Sequence, residues 1–133
     1  MKPPNTSLSS PSNTAIRRLI LVEDDESVRR SMTMLLRTRG FQIDAYRSGS
    51  EFLTMTGLHG GDCLLIDYKM PRIDGIELMQ RIRSNNDQTP GIMITGYYSD
   101  SLQRRALRAG FSDVLEKPLA PKSLQAMILN VVG

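Results

Sequence analysis

The residue types in this chain that could do chemistry are an acidic cluster, Glu23-Asp24-Asp25-Glu26, and, far from it in sequence, Asp67, Thr95 and Lys117. Carboxylates gathered in one place repel one another, and a hard divalent cation is the economical compensation. An all-oxygen donor set with water completing the shell suits Mg2+. Beside such a cation a carboxylate can attack phosphorus and form an acyl phosphate. An ammonium then neutralises charge on the transferring oxygens, and a hydroxyl holds the phosphoryl group once it is attached. Asp67, Lys117 and Thr95 fit those three parts in turn, with Glu23, Asp24 and Asp67 as the metal-site acids and Asp25 as a lesser candidate. Taken singly, Asp67 reads equally well as an acid capping a turn. Only the set gives it a chemical role.

These residues meet only if the fold delivers them to one place, and the sequence shows how. Leu19–Val22 runs into Glu23, Cys63–Ile66 into Asp67, Ile92–Ile94 into Thr95-Gly96, and Val114-Leu115 into Glu116-Lys117-Pro118. Each short apolar run predicts a buried strand with its chemistry at the carboxyl end. Between the runs the period becomes helical: Val28, Met32, Leu35 and Leu36 with Gly40 as a stop, then Ile76, Leu78, Met79 and Ile82 entered at Asp74-Gly75. Residues from about 100 to 109 run helically to Gly110, and a last helix starts near Pro121 or Lys122 and carries Leu124, Met127, Ile128 and Val131. Phe41, Ile43 and Ala45 alternate with polar neighbours and predict the second strand, followed by a short helix over Ser48–Thr56 and a loop to Gly61. Strands alternating with helices imply right-handed crossovers. The fold class is α/β, a doubly wound, flavodoxin-like (βα)5 arrangement with a five-stranded parallel sheet and helices on both faces. Ligands of such sheets bind outside the carboxyl ends of the strands.

Composition narrows the rest. The chain has 133 residues, 40% of them apolar, enough for one domain with a real core. Residues 1–16 are rich in Ser, Pro, Asn and Thr and predict a disordered tail ahead of a domain over 17–133. The single cysteine, Cys63, rules out a disulfide framework and reads as a buried thiol in a reducing compartment. No apolar run approaches the roughly 20 residues of a membrane span, and no signal-peptide pattern opens the chain, so a cytoplasmic location without membrane contact is expected. Net charge is +3, but basic and acidic residues are interleaved, which argues for a solvated surface and against direct nucleic-acid contact. The eight methionines read mostly as core filler.

From about residue 18 to 131 the chain resembles the receiver domains of two-component response regulators. The resemblance rests on Leu21-Val22-Glu23-Asp24-Asp25-Glu26, Ile66-Asp67-Tyr68-Lys69-Met70-Pro71 with Asp74-Gly75, Ile94-Thr95-Gly96, and Glu116-Lys117-Pro118. The Ile-Thr-Gly pattern is similar to that of receivers of the nitrogen-fixation regulator type. The resemblance implies a phosphorylation-dependent switch: a histidine kinase or phosphotransfer protein donates to Asp67 with Mg2+, and a target or a second copy of the chain then binds the face of helix four, strand five and helix five. Such a domain catalyses only its own phosphorylation and dephosphorylation and is not an enzyme on an external substrate. An arginine commonly lies five residues after the second metal-site acid, which selects Asp24 with Arg29 over Asp25 with Arg30. A cis Lys117–Pro118 peptide is also implied. Two departures stand out: Val114 occupies the place of a frequent aromatic, and Lys69 and Tyr97 fill the variable positions that tune access of hydrolytic water, predicting slow self-dephosphorylation. His59, the only histidine, sits in a predicted loop, which argues against this chain being the histidine phosphodonor. Two other readings are weaker. A haloacid-dehalogenase-like phosphatase would need an Asp-x-Asp motif after strand one and a cap domain, and a phosphorylation-independent scaffold would have no use for the complete acidic site.

Overall fold

Short apolar or alternating runs become strands because they are too short to bury a helix and are bounded by polar turns. In the computed structural model these are β1 (Arg18–Val22), β2 (Gln42–Tyr46), β3 (Cys63–Asp67), β4 (Gly91–Thr95) and β5 (Asp113–Glu116). The structure describes residues 17–55 and 60–132. The tail expected over 1–16, and His59, lie outside the described residues. All strand pairs are parallel, in the order β2-β1-β3-β4-β5. The order therefore reverses between β1 and β3, and the crevice at that reversal opens where Glu23 and Asp67 end their strands.

The intervening helices are α1 (Glu26–Thr38), α2 (Gly49–Thr54), α3 (Gly75–Ser84), α4 (Asp100–Ala109) and α5 (Pro121–Val132). Four of them begin on a side-chain cap: Asp25, Ser48, Asp74 and Ser99 each accept the backbone N–H three residues on. Each such cap contributes about 1 kcal/mol. Gly110 closes α4 at φ +114°, a conformation that an L side chain would resist.

Continuous apolar strands are what a sheet covered on both faces requires. Leu19, Leu21, Cys63, Leu65, Ile92 and Ile94 point into one core with Met32 and Leu36 of α1 and Leu124 and Ile128 of α5. Ile20, Val22, Leu64, Ile66 and Met93 point into the other with Phe52 of α2, Leu78, Met79 and Ile82 of α3, and Leu102 and Ala106 of α4. Burial pushes the Cys63 thiol up to about 12, so it stays protonated.

Two expectations need correction. In β2 it is Ile43 and Tyr46 that are buried while Ala45 is exposed, because this edge strand serves both cores and Tyr46 packs edge-on against Phe52 at 5.4 Å. The second helix begins one residue later than expected, since Ser48 is its cap, and it ends at Thr54. Met32, Met70, Met79 and Met93 are buried as core filler, while Met34 is 69% exposed on α1.

Gly75 couples the fold to the site. It starts α3 directly over the end of β3, where a Cβ would lie 2.6 Å from the Asp67 carbonyl oxygen. Its N–H also donates to the Tyr68 carbonyl at 2.9 Å. Gly75→Ala should therefore cost about 2 kcal/mol by forcing α3 off β3. Gly96→Ala, with open space around its Cβ, should change stability by less than about 0.5 kcal/mol. Urea denaturation of the two variants checks the contrast.

Candidate functional site

Four of the five parallel strands, β1, β3, β4 and β5, deliver Glu23, Asp67, Thr95 and Lys117 to the carboxyl end of the sheet by their register. Val22 pairs with Ile66, Asp67 with Ile94, and Thr95 with Glu116, so the residues that follow β1 and β5 fall beside the ends of β3 and β4. Glu23, Asp67 and Thr95 are buried. Lys117 reaches in from the β5–α5 connection: its Nζ lies 2.9 Å from Glu23 Oε1 and 3.2 Å from Asp67 Oδ1. The Lys117 backbone N–H donates to the Thr95 carbonyl at 2.8 Å, which ties the lysine to the end of β4. The Lys117–Pro118 peptide is cis.

The acids of the first cluster have separate duties. Glu23 Oε1 accepts from Lys117 and Oε2 from the Asp25 N–H at 3.1 Å, so both oxygens of this buried carboxylate are satisfied. Asp25 caps α1 by accepting from the Val28 N–H at 3.0 Å, which places it outside the acid cluster. Asp24 is exposed at the rim, and one oxygen each from Glu23, Asp24 and Asp67 lie within 4.8 Å of one another. Arg29 Nη1 donates to the Glu23 carbonyl at 2.9 Å and fixes the turn that carries them. Three oxygen donors with one open, exposed side fit a hard cation that keeps part of its water shell.

Thr95 Oγ1 accepts the Tyr97 N–H at 2.8 Å. A hydroxyl can accept and donate together, so its proton is left for another acceptor. Between Asp67 and α3, Arg72 takes a left-handed backbone with φ 69°, a strained choice for a side-chain-bearing residue at the lip of the site.

A family model described as the response regulator receiver domain matches residues 19–129. The chain belongs to the response regulator receiver family. It is the receiver domain of a two-component system. Among curated proteins it is 36% identical over 111 residues to the response regulator MprA of Mycobacterium leprae, covering 84% of this chain and 49% of that one. It thus spans about half the length of the curated relatives it matches. Among solved structures, the full-length FixJ of B. japonicum is 32% identical with a TM-score of 0.80, over 87% of this chain and 57% of that chain. A CheY-like receiver domain from Methanospirillum hungatei gives 25% identity and a TM-score of 0.81, over 89% and 94%. The likeness is spread over several regulators and does not single out the nitrogen-fixation type.

Against this receiver frame the departures become concrete. Val114 is buried on β5 among the residues of α4, where it fills the core without an aromatic ring. Lys69 Nζ sits 5.2 Å from the centre of the Tyr97 ring, so the two variable positions pair across the loops that flank Asp67. The sequence did not reveal that Glu23 is the anchor of Lys117, nor that Tyr68, next to Asp67, is touched by Arg105 from α4. Neither contact leaves a signal in spacing.

Burial, with the charge of Glu23 second, pushes the Asp67 carboxyl up to about 7, although the Lys117 charge and hydrogen bond pull the other way. Burial draws Lys117 down, but its hydrogen bond to Glu23 and the charges of Asp67 and Glu23 outweigh this and hold it above the ordinary lysine range. In the unfolded chain Asp67 ionises near 4, so below that pH both states carry the proton and stability is unaffected. As pH rises from 4 to 7 the folded state loses stability through Asp67, and above 7 the whole loss is present. In metal-free buffer Asp67→Asn should therefore stabilise the domain by about 1–3 kcal/mol at pH 8 and by much less at pH 5. Denaturation curves at the two pH values, with chelator present, test the sign.

Proposed function

We propose that this receiver takes a phosphoryl group on Asp67 from a phosphohistidine of a histidine kinase or phosphotransfer protein, with Mg2+ held by Glu23, Asp24 and Asp67. The observation that carries the reading is the convergence of those three acids with Lys117, whose ammonium contacts Glu23 and Asp67. In the reaction an Asp67 carboxylate oxygen attacks phosphorus. A P–O bond forms while the P–N bond breaks, and its electron pair returns to the imidazole, which takes up a proton. Mg2+, when bound, supplies neutralising charge for the transferring oxygens. Lys117 shares that task and keeps the acceptor oriented, and Thr95 turns its hydroxyl from the Tyr97 N–H toward the attached phosphoryl group.

That turn reaches the surface of α4, β5 and α5, which in this reading binds a target or a second copy of the chain. The chain acts on itself alone and not as an enzyme on an external substrate. It works in the cytoplasm and makes no direct contact with nucleic acid. Among the described residues no helix is long and apolar enough to cross a membrane.

Incubation with acetyl phosphate and Mg2+ should add one phosphate by intact mass, and Asp67→Asn or added chelator should abolish it. A folded protein that gains no mass and binds no beryllofluoride would replace this reading with a phosphorylation-independent scaffold. Asp24→Asn should weaken Mg2+ binding about tenfold or more by calorimetry, whereas Asp25→Ala should leave it near the wild-type value and lower stability by about 1 kcal/mol.

The Lys69–Tyr97 pair shields the acyl phosphate from water, so its hydrolysis should be slow. Replacing both residues by alanine should shorten the phosphoryl half-life several-fold, read as phosphoprotein remaining after the donor is removed. An unchanged or longer half-life in the double variant, or fast decay in the wild type, would overturn the shield.

A further inference from the structure

Helices α3 and α4 leave between them a groove of about 440 Å³ lined by Ile76, Gln80, Arg83, Arg105, Arg108 and Ala109. Three guanidinium groups line it, and no acid does. Arg83 is fixed in the wall, with Nη1 donating to the Asp87 carbonyl at 2.7 Å and Nη2 to the Gly110 carbonyl at 2.8 Å. Those carbonyls engage two of its five N–H groups and the Asp87 charge acts on it too, so the charge that the groove offers comes chiefly from Arg105 and Arg108. Arg105 and Arg108 are both exposed and lie three residues apart, so they rise side by side on one face of α4. Arg108 forms no hydrogen bond or ion pair with any described residue. Glu77 of α3 is taken by Arg81 at 2.7 Å. Helix-end electrostatics accounts for Arg83 and Arg108, each in the last turn of its helix, but not for Arg105 in the middle of α4, nor for the recess that separates them.

We propose that the α3–α4 groove docks an acidic segment of a partner protein, and that docking is coupled to the phosphoacceptor through Arg105 and Tyr68. Bidentate guanidinium pairs suit single carboxylates, and Ile76 and Ala109 offer apolar contact to the aliphatic part of a Glu or Asp side chain. A nucleic-acid backbone is a continuous line of charge and calls for a basic stripe. Here the basic recess is one groove wide, in a chain of net charge only +3. Carboxylate side chains match it and a duplex does not.

The coupling follows from one long contact. Arg105 Nη1 lies 3.5 Å from the Tyr68 hydroxyl, and its guanidinium carbon lies 5.9 Å from the centre of the Tyr68 ring. Tyr68 directly follows Asp67, and its N–H donates to the Ile94 carbonyl at 2.9 Å, one residue before Thr95. A carboxylate that engages Arg105 draws it away from Tyr68 and loosens the ring beside the acceptor. By reciprocity, phosphorylation shifts affinity in the groove by the same factor. This second half rests on the reading of Asp67 as acceptor, and the docking itself does not.

The test is an amide-shift titration of the unphosphorylated domain with a synthetic helical peptide carrying Glu at i and i+4. Saturable shifts confined to Gln80, Arg83, Arg105, Arg108 and their neighbours are expected, with affinity lowered about tenfold by Arg108→Gln. Shifts that spread over the surface, are indifferent to Arg108→Gln, or are matched by a short DNA duplex would overturn the docking site. The coupling is read separately, as the rate of acetyl-phosphate-driven phosphorylation with and without saturating peptide. A rate change of twofold or more that disappears in Tyr68→Ala supports it. Normal phosphorylation that the peptide leaves unaltered removes the coupling and leaves the docking result intact, while absence of any phosphorylation counts against the acceptor reading alone.

Discussion

The site depends on one ammonium. Lys117 Nζ stands between Glu23 and Asp67, two buried carboxylates that would otherwise repel each other in a poorly solvated crevice. Without a partner, either acid would neutralise itself by taking a proton. Lys117 does not fully offset burial and the charge of Glu23, which is why the Asp67 carboxyl still sits well above the ordinary range, at about 7. That residual deficit of positive charge is what a second cation would offset, and the exposed Asp24 marks the side from which it would enter. The raised Asp67 carboxyl and the three converging acids are thus two aspects of the same unbalanced charge.

Glu23 anchors the Lys117 ammonium, and backbone places the residue that carries it. Its N–H bonds to the Thr95 carbonyl, Thr95 ends a strand paired with β3, and β3 carries Asp67 at its last position. The two cores clamp this arrangement from both faces, with Leu65 and Ile94 packing toward α1 and α5 while Ile66 and Met93 pack toward α3 and α4. A one-residue slip in any strand would exchange the cores and turn the terminal acid away from the crevice. Register is therefore as much a part of the site as the side chains are.

Most of this was legible in the sequence, and the reason is the two-sided sheet. Strands buried on both faces must be continuous apolar runs, so each run's end is visible, and the residues at the ends, Glu23, Asp67, Thr95 and Lys117, follow from the runs themselves. The edge of the sheet was less legible. β2 has only one neighbour, and its pattern reflects local choices such as Tyr46 packing on Phe52, which displaced Ala45 from the expected core. The division of labour among Glu23, Asp24 and Asp25 was legible only through the spacing of Arg29, and its physical basis is the α1 cap formed by Asp25. Contacts between distant side chains, such as Arg105 with Tyr68, are set by helix placement and leave no trace in periodicity.

The loss of an aromatic on β5 has a structural consequence for how a change at Asp67 travels. Val114 is small and buried, so the sheet beside Thr95 holds no ring that could swing inward. The rings are instead in the β4–α4 loop: Tyr97 is 64% exposed and Tyr98 is 37% exposed. Tyr97 is joined to Thr95 through its N–H and to Lys69 through its ring, and the Tyr98 hydroxyl is joined to Gln103 on the first turns of α4. If the Thr95 hydroxyl leaves the Tyr97 N–H for a phosphoryl oxygen, the loop loses the bond that closes it, and both rings and the start of α4 are released together. The exposed aromatic surface beside Thr95 therefore belongs to the loop and not to the strand, and α4 carries Arg105 toward Tyr68 and Gln103 toward Tyr98.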